Sequence, residues 1–131
     1  MLDTNIVSHI VRGQAAAIGR LLRHPVDAVC VSAITAGEIR FGLARRPEAH
    51  RMQAAMERFL QQTEILPWDA NASRRYGPLR AEIQRLGQPI GELDLLIAAH
   101  ALAVGTTLVT NDAAFARVPG LTIEDWTRPV Q

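Results

Sequence analysis

The chain has 131 residues, of which 48% are hydrophobic and 21% are charged, and its formal net charge is +1. A chain of this length can bury about two-thirds of its unfolded surface, so we expect one domain over residues 1–131. The near-neutral charge gives no global sign of a polyanion partner, and the pattern contains neither a signal peptide nor a membrane-spanning run. With a single cysteine, Cys30, no internal disulfide can form. These properties predict a cytoplasmic protein without a membrane contact.

Helical and strand patterns alternate along the chain. Helices are predicted at residues 4–12, 15–23, 33–45, 48–60, 69–86 and 93–104, with a helical turn at 113–117. Short apolar strands are predicted near residues 1–3, 27–31, 64–66, 107–110 and 121–123. The pair Gly77-Pro78 is expected to kink or break the fifth helix. This alternation predicts a three-layer α/β/α sandwich around a parallel sheet of about five strands.

The first five residues place a carboxylate where a strand passes into a helix. Met1 and Leu2 are apolar, and Asp3-Thr4-Asn5 follow directly. In open α/β sheets, ligands bind beyond the carboxyl ends of the strands, so Asp3 is a candidate site residue. The same residue types also cap helix N-termini, and capping remains an alternative for this stretch.

Three further acids are placed towards the same end of the sheet. Asp112 follows the predicted strand 107–110 by two residues, and Asp94 lies in the first turn of an almost entirely apolar helix. Glu38 shares a helix face with Ile34, which anchors its carboxylate beside core side chains. Each acid also has a structural alternative: Asp94 and Asp112 could cap helical segments, and Glu38 could pair with Arg45 or with an arginine of another segment.

Considered together, the four acids indicate a metal site. Converging carboxylates repel one another and raise each other's pKa unless a cation neutralises them. Ligand sets made only of oxygen are those that Mg²⁺ or Mn²⁺ prefers, and one or two such ions can promote hydrolysis of a phosphodiester. The four histidines lack metal-ligand spacing and are expected on the surface or on helix faces. Arg40, Arg45 and Arg46 either meet phosphate groups or form a solvated face.

Five separated blocks of sequence resemble the PIN-domain ribonucleases of the VapC toxin type. The resemblance covers essentially the whole chain, with the motifs in the same order. The blocks are Leu2-Asp3-Thr4-Asn5; residues 32–35 with Glu38 and Gly42; residues 90–101; residues 108–112; and Phe115 with residues 118–121 and Trp126.

The resemblance implies a metal-dependent endoribonuclease that is the toxin of a type II toxin–antitoxin pair. It further implies an RNA substrate, a small VapB-like antitoxin that occupies the active-site groove, and a homodimer that forms a heterotetramer or larger assembly with the antitoxin. By position, Asp3 and Asp94 correspond to the principal metal ligands, Glu38 to a third, and Asp112 to a fourth, more variable one. The supporting polar residues correspond to Thr4, Asn5 and Thr110.

The chain departs from the family pattern at its first strand. Family members usually have several residues before the motif, whereas only Met1 and Leu2 precede Asp3 here. Either the start lies further upstream or the protein tolerates a short strand, which would lose ladder hydrogen bonds.

Two alternative functions remain open at this level. One is a catalytically inactive PIN-like module that binds RNA or a partner, although such a module would be expected to have lost an acid. The other is a phosphatase of the haloacid dehalogenase type, which would require a second aspartate where Asn5 stands.

Overall fold

The computed structural model describes residues 1–129, in which six α-helices alternate with four short β-strands. The helices are α1 (Thr4–Val11), α2 (Ala15–Leu21), α3 (Ala33–Ala44), α4 (His50–Gln62), α5 (Ala70–Arg85) and α6 (Glu92–Val104). The strands are β1 (Cys30–Ser32), β2 (Glu64–Leu66), β3 (Leu108–Val109) and β4 (Ile123–Glu124). Two 3-10 helices cover Val26–Ala28 and Ala113–Arg117.

The N-terminal segment lies between two pairs of parallel strands. Strand β1 pairs with β2, and β3 pairs with β4. Leu2 N donates to the carbonyl of Cys30 at 2.9 Å, while Asp3 N donates to the carbonyl of Val109 at 2.9 Å. Val109 N in turn donates to the carbonyl of Met1 at 2.8 Å. The segment is short, yet it keeps ladder hydrogen bonds on both sides and holds Asp3 at the centre of the sheet.

Alternate residues of the strands face two separate hydrophobic cores. Leu2, Val31 and Val109 belong to the core covered by α1, α3 and α4. Met1 and Leu108 belong to the core covered by α5 and α6. Because successive side chains of a strand point to opposite faces, helices cover both sides of the sheet. The predicted α/β fold with three layers is confirmed.

Several predicted boundaries differ from the structure. The strand predicted at residues 27–31 begins later, because the amide of Val29 bonds back to Val26 and forms a 3-10 turn after Pro25. The last strand is Ile123–Glu124 and not residues 121–123. Helix α5 continues through Pro78 without a break. Leu79 and Ile83 are buried in the core that α5 shares with α6, and this packing stabilises the helix around the proline.

Within residues 1–129, no helix combines the length and the apolar character that crossing a membrane requires.

Candidate active site

Asp3 is a buried carboxylate, 5% exposed, with both oxygens hydrogen-bonded. Oδ1 accepts from the Thr4 amide at 2.7 Å, which makes Asp3 the N-cap of α1. Oδ2 accepts from the Thr110 hydroxyl at 2.9 Å. The capping alternative is therefore correct, and it leaves Asp3 in the position expected of a site residue, at the carboxyl end of the central segment.

Glu38 is bonded to the residue that follows Asp3. The Thr4 hydroxyl donates to Glu38 Oε1 at 3.0 Å, which ties helix α3 to the start of α1. The alternative ion pair between Glu38 and an arginine does not form within residues 1–129, and the Arg45 guanidinium lies over the ring of Phe41, 5.5 Å from its centroid. Glu38 is thus directed to the acids and not to the arginines of its own helix.

Thr110 connects Asp3 to Asp112. The amide of Asp112 donates to Thr110 Oγ1 at 3.0 Å, and the same hydroxyl donates to Asp3. Asp112 Oδ1 also accepts from the amide of Ala114 at 2.9 Å and caps the 3-10 helix that follows, so this capping alternative is correct as well.

Asp94 differs from the other acids because it is not a cap. The N-cap of α6 is Gly91, which has no side chain, so the capping alternative for Asp94 is wrong. Asp94 lies in the first turn of α6 and is half-buried. In the described part of the chain, its carboxylate accepts no hydrogen bond from another residue, and its charge is left without a partner.

Burial and mutual repulsion raise the pKa of three of the acids. For Asp94, burial and then the charges of Asp3, Asp112 and Glu38 raise the pKa to about 6. Burial also raises the pKa of Asp3, with a smaller contribution from Asp112, against hydrogen bonds from Thr110 and Thr4. The pKa of Glu38 is raised by burial and by Asp3, against a hydrogen bond from Thr4. Asp94 therefore lies within electrostatic range of the other three carboxylates.

The donor set matches the chemistry of a hard divalent cation, although the side chains are not arranged as a closed cage. Among residues 1–129, no three His, Cys, Asp or Glu side chains lie close enough together to hold one ion directly. Mg²⁺ does not require such a cage, because it keeps several waters and takes one or two carboxylates. The unpartnered carboxylate of Asp94 and the buried carboxylate of Asp3 are ligands of the chemical type that such an ion prefers.

Within residues 1–129, two other polar residues form no hydrogen bond with the acids. Asn5 is exposed, and within the described residues no hydrogen bond joins it to an acid. His100, expected on a surface or helix face, is instead in the core and 2% exposed. Its Nδ1 lies 2.7 Å from Ser32 Oγ, and burial lowers the pKa of its imidazole. Because α6 is apolar on all sides, its sequence pattern does not predict that His100 pairs with Ser32.

A cleft of about 390 Å³, which we call the α1–α3–α4 cleft, opens beside the acids. It includes Thr4 and Glu38, and it is also lined by Arg12, Arg46 and Met52. The sequence pattern did not single out Arg12 or Met52. Three helices bring the lining together, and no spacing along the chain records that arrangement.

The chain is similar to known proteins over nearly its whole length. Residues 1–121 match the family model described as PIN domain. The chain is similar to the tRNA(fMet)-specific endonuclease VapC of Shigella flexneri, with 35% identity over 128 residues and 97% of each chain covered. It is also similar to Ribonuclease VapC2 of Rickettsia felis, with 34% identity over 98% of each chain. A chain in the crystal structure of DNA-bound VapBC from Salmonella typhimurium superposes with a TM-score of 0.88, at 35% identity and 96% coverage of each chain.

Proposed function

The chain belongs to the VapC ribonucleases of the PIN-domain family, and on that premise we propose that it is a metal-dependent endoribonuclease, the toxin of a type II toxin–antitoxin pair. The observation that supports this proposal is that the half-buried carboxylate of Asp94 lies within range of the charges of Asp3, Asp112 and Glu38. Such a concentration of negative charge would bind a divalent cation, and the cation would in turn bind the phosphodiester.

Asp3 and Asp94 would be the principal residues holding Mg²⁺ or Mn²⁺, with Glu38 and Asp112 completing the acidic set. When bound, such an ion supplies an activated water and neutralises the phosphodiester oxygens. The chain's own contribution is orientation. The hydroxyls of Thr4 and Thr110 hold Glu38 and Asp3 in place before the cation and the RNA bind.

Asn5 stands in the motif beside Thr4, and its exposure suits contact with the RNA backbone more than support of the acids. The two structural roles of Asp3 and Asp112 as caps are compatible with metal binding. A capping bond fixes a carboxylate and leaves further lone pairs available.

We place a small VapB-like antitoxin in the active-site groove. Relatives of this chain were solved as VapBC assemblies, among them the Salmonella typhimurium complex and VapBC2 from Rickettsia felis, each bound to DNA. The protein would form a homodimer, and a heterotetramer or larger assembly with its antitoxin. The chain would act on its RNA substrate and meet its antitoxin in the cytoplasm.

The test is RNA cleavage by the purified protein, freed of antitoxin. Transfer RNA(fMet), ribosomal RNA and messenger RNA are incubated with Mg²⁺ or Mn²⁺, and then with EDTA. We expect cleavage that stops with EDTA and falls at least about a hundredfold in Asp94→Asn. Asp27→Asn is the matched control, since Asp27 is an exposed acid outside the site. If every RNA survives intact with metal present, the enzyme proposal is wrong.

A catalytically inactive PIN-like binding module is the second candidate. All four acids are present in this chain, which favours the enzyme over the inactive module. Binding of RNA without metal-dependent cleavage would reverse that choice. The haloacid dehalogenase alternative is wrong, because the chain belongs to a different family.

A further inference from the structure

The α1–α3–α4 cleft is continuous with the acidic site. Thr4 and Glu38 belong to both, and the 3.0 Å hydrogen bond between their side chains lies where the two meet. At about 390 Å³, the cleft has the size of a small-ligand pocket, for which ~300–1,000 Å³ is usual. A substrate held at the acids therefore has room for a further part of itself next to them.

The walls of the cleft are apolar and include two methionines. Ile39, Leu43 and Met56 line it and are largely buried, while Met52 is half-buried. Methionine adapts its shape to its neighbours and makes favourable sulfur contacts with aromatic rings. Such walls suit a flat aromatic group, and every nucleobase offers one.

Two arginines line the same cleft and have free guanidinium groups. Arg12 and Arg46 are exposed, and neither forms an ion pair with a carboxylate within residues 1–129. Their backbones are fixed. Arg12 is the C-cap of α1, and the Arg46 carbonyl accepts a hydrogen bond from Gln53 Nε2 at 3.1 Å. Unpaired guanidiniums on a fixed backbone are well suited to bidentate phosphate contacts.

We infer that the α1–α3–α4 cleft is a substrate subsite that holds one nucleotide beside the scissile phosphate. Its base packs against Met52 and Met56, and its outer phosphate lies between Arg12 and Arg46. The inference rests on the proposed ribonuclease function. An RNA strand supplies both a flat ring and an anion, whereas an apolar peptide would cover the walls and leave the two guanidiniums unneutralised.

The phosphate contact is tested with a charge-matched pair of double variants. One combines Arg12→Gln with Arg46→Gln, and the control combines Arg74→Gln with Arg75→Gln, which removes the same charge from exposed positions on α5. Binding of fluorescein-labelled transfer RNA(fMet) is measured by anisotropy over a series of salt concentrations, in an Asp94→Asn background that prevents cleavage.

In the cleft variant, we expect the affinity to fall about tenfold and the slope of log affinity against log salt to shrink by about 0.7, the value for one single-strand phosphate. The control should change both quantities much less. Equal changes in the two double variants would overturn the inference, because they would reflect the general charge of the protein.

The base contact is tested with Met52→Ala on a single-stranded oligoribonucleotide in which an abasic nucleotide replaces each position in turn. For the nucleotide in the cleft, Met52→Ala should weaken binding about fivefold on intact RNA and have no effect on the abasic version. Additive losses at every position would overturn the inference.

Failure of the subsite is distinguishable from failure of the ribonuclease proposal. If the wild-type protein cleaves no RNA but the cleft variants still lose binding, the subsite stands and the ribonuclease proposal falls. If cleavage occurs and the cleft variants bind normally, the subsite falls. Cleft variants that bind RNA normally yet escape inhibition by the antitoxin would also overturn the inference, because they would identify the occupant as a peptide.

Discussion

The hydroxyl of Thr110 donates a 2.9 Å hydrogen bond to Asp3 Oδ2, across 107 positions of sequence. Thr110 Oγ1 also accepts a hydrogen bond from the amide of Asp112 at 3.0 Å. Thr110 lies immediately after β3, and Asp3 lies at the end of the segment that pairs with β3. The side chain of Thr110 thus fixes two of the four acids relative to the sheet. A substitution of Thr110 should therefore lower both stability and activity.

We expect Thr110→Val to destabilise the fold and to impair cleavage. The substitution leaves Asp3 Oδ2 without its buried donor and the Asp112 amide without its acceptor, and such losses cost about 1–3 kcal/mol of unfolding free energy. Urea denaturation measures the first effect, and RNA cleavage with Mg²⁺ measures the second. Thr110→Ser keeps the hydroxyl and is the control. If both variants retain activity, the hydroxyl does not orient the acids.

The raised pKa of Asp94 predicts that the metal-free protein loses stability as the pH rises. The folded state holds the proton up to about pH 6, whereas the ordinary value for aspartate is 3.8. Between these values the folded state binds more protons than the unfolded chain, so this contribution to stability is present at low pH and is lost towards pH 6. Asp3 and Glu38 are shifted in the same direction and add to the slope.

The measurement is thermal unfolding in EDTA at about pH 5 and about pH 7.5, with Asp94→Asn as the comparison. The wild type should lose more stability between the two pH values than the variant does. Mg²⁺ should stabilise the wild type more at the higher pH, because the ionised carboxylate is the form that binds a cation. Identical pH dependence in the two proteins would show that Asp94 does not carry this charge repulsion.

The alternation of short apolar strands with helices predicted the layered fold correctly for a physical reason. Segments buried on both faces are apolar throughout, and this property is local in the sequence. The exposure of an individual side chain is not a local property of the sequence. Val26 belongs to the apolar run before β1, yet it is 76% exposed, because a 3-10 turn forms there before the strand begins.

The site could be predicted only as far as chain positions allow. Asp3 and Asp112 follow strand ends and Asp94 lies at a helix start, so topology suggests that these three acids approach one another, whereas Glu38 lies in the middle of α3. Which polar groups support them could be inferred only in part, because Thr4 and Thr110 stand next to the acids in their motifs. The partner of His100 is Ser32, 68 positions away, and nothing in the apolar pattern of α6 records that pair.

We expect Ser32→Ala to destabilise the protein by about 1–3 kcal/mol. Ser32 Oγ lies 2.7 Å from His100 Nδ1 in the core, and it also accepts from the amide of Ile34 at 3.1 Å as the N-cap of α3. Ser73→Ala is the control, since its exposed hydroxyl bonds only to the carbonyl of Ala70 and should matter by less than about 0.5 kcal/mol. Urea denaturation compares the two. Equal losses would mean that the buried pair adds no stability.

Thr35→Val should raise the unfolding free energy, whereas Thr110→Val should lower it, although the chemical change is the same. Thr35 is fully buried in α3, and within residues 1–129 its hydroxyl has no hydrogen-bond partner. Valine keeps the shape and removes an unsatisfied polar group, so the unfolding free energy should rise by about 1 kcal/mol. Thr35→Ser keeps the hydroxyl and loses a methyl group, and it should lower the unfolding free energy by about 1 kcal/mol. Urea unfolding with unchanged m-values measures both variants. A loss of stability in Thr35→Val would show that the hydroxyl is paired in solution, with a buried water as its partner.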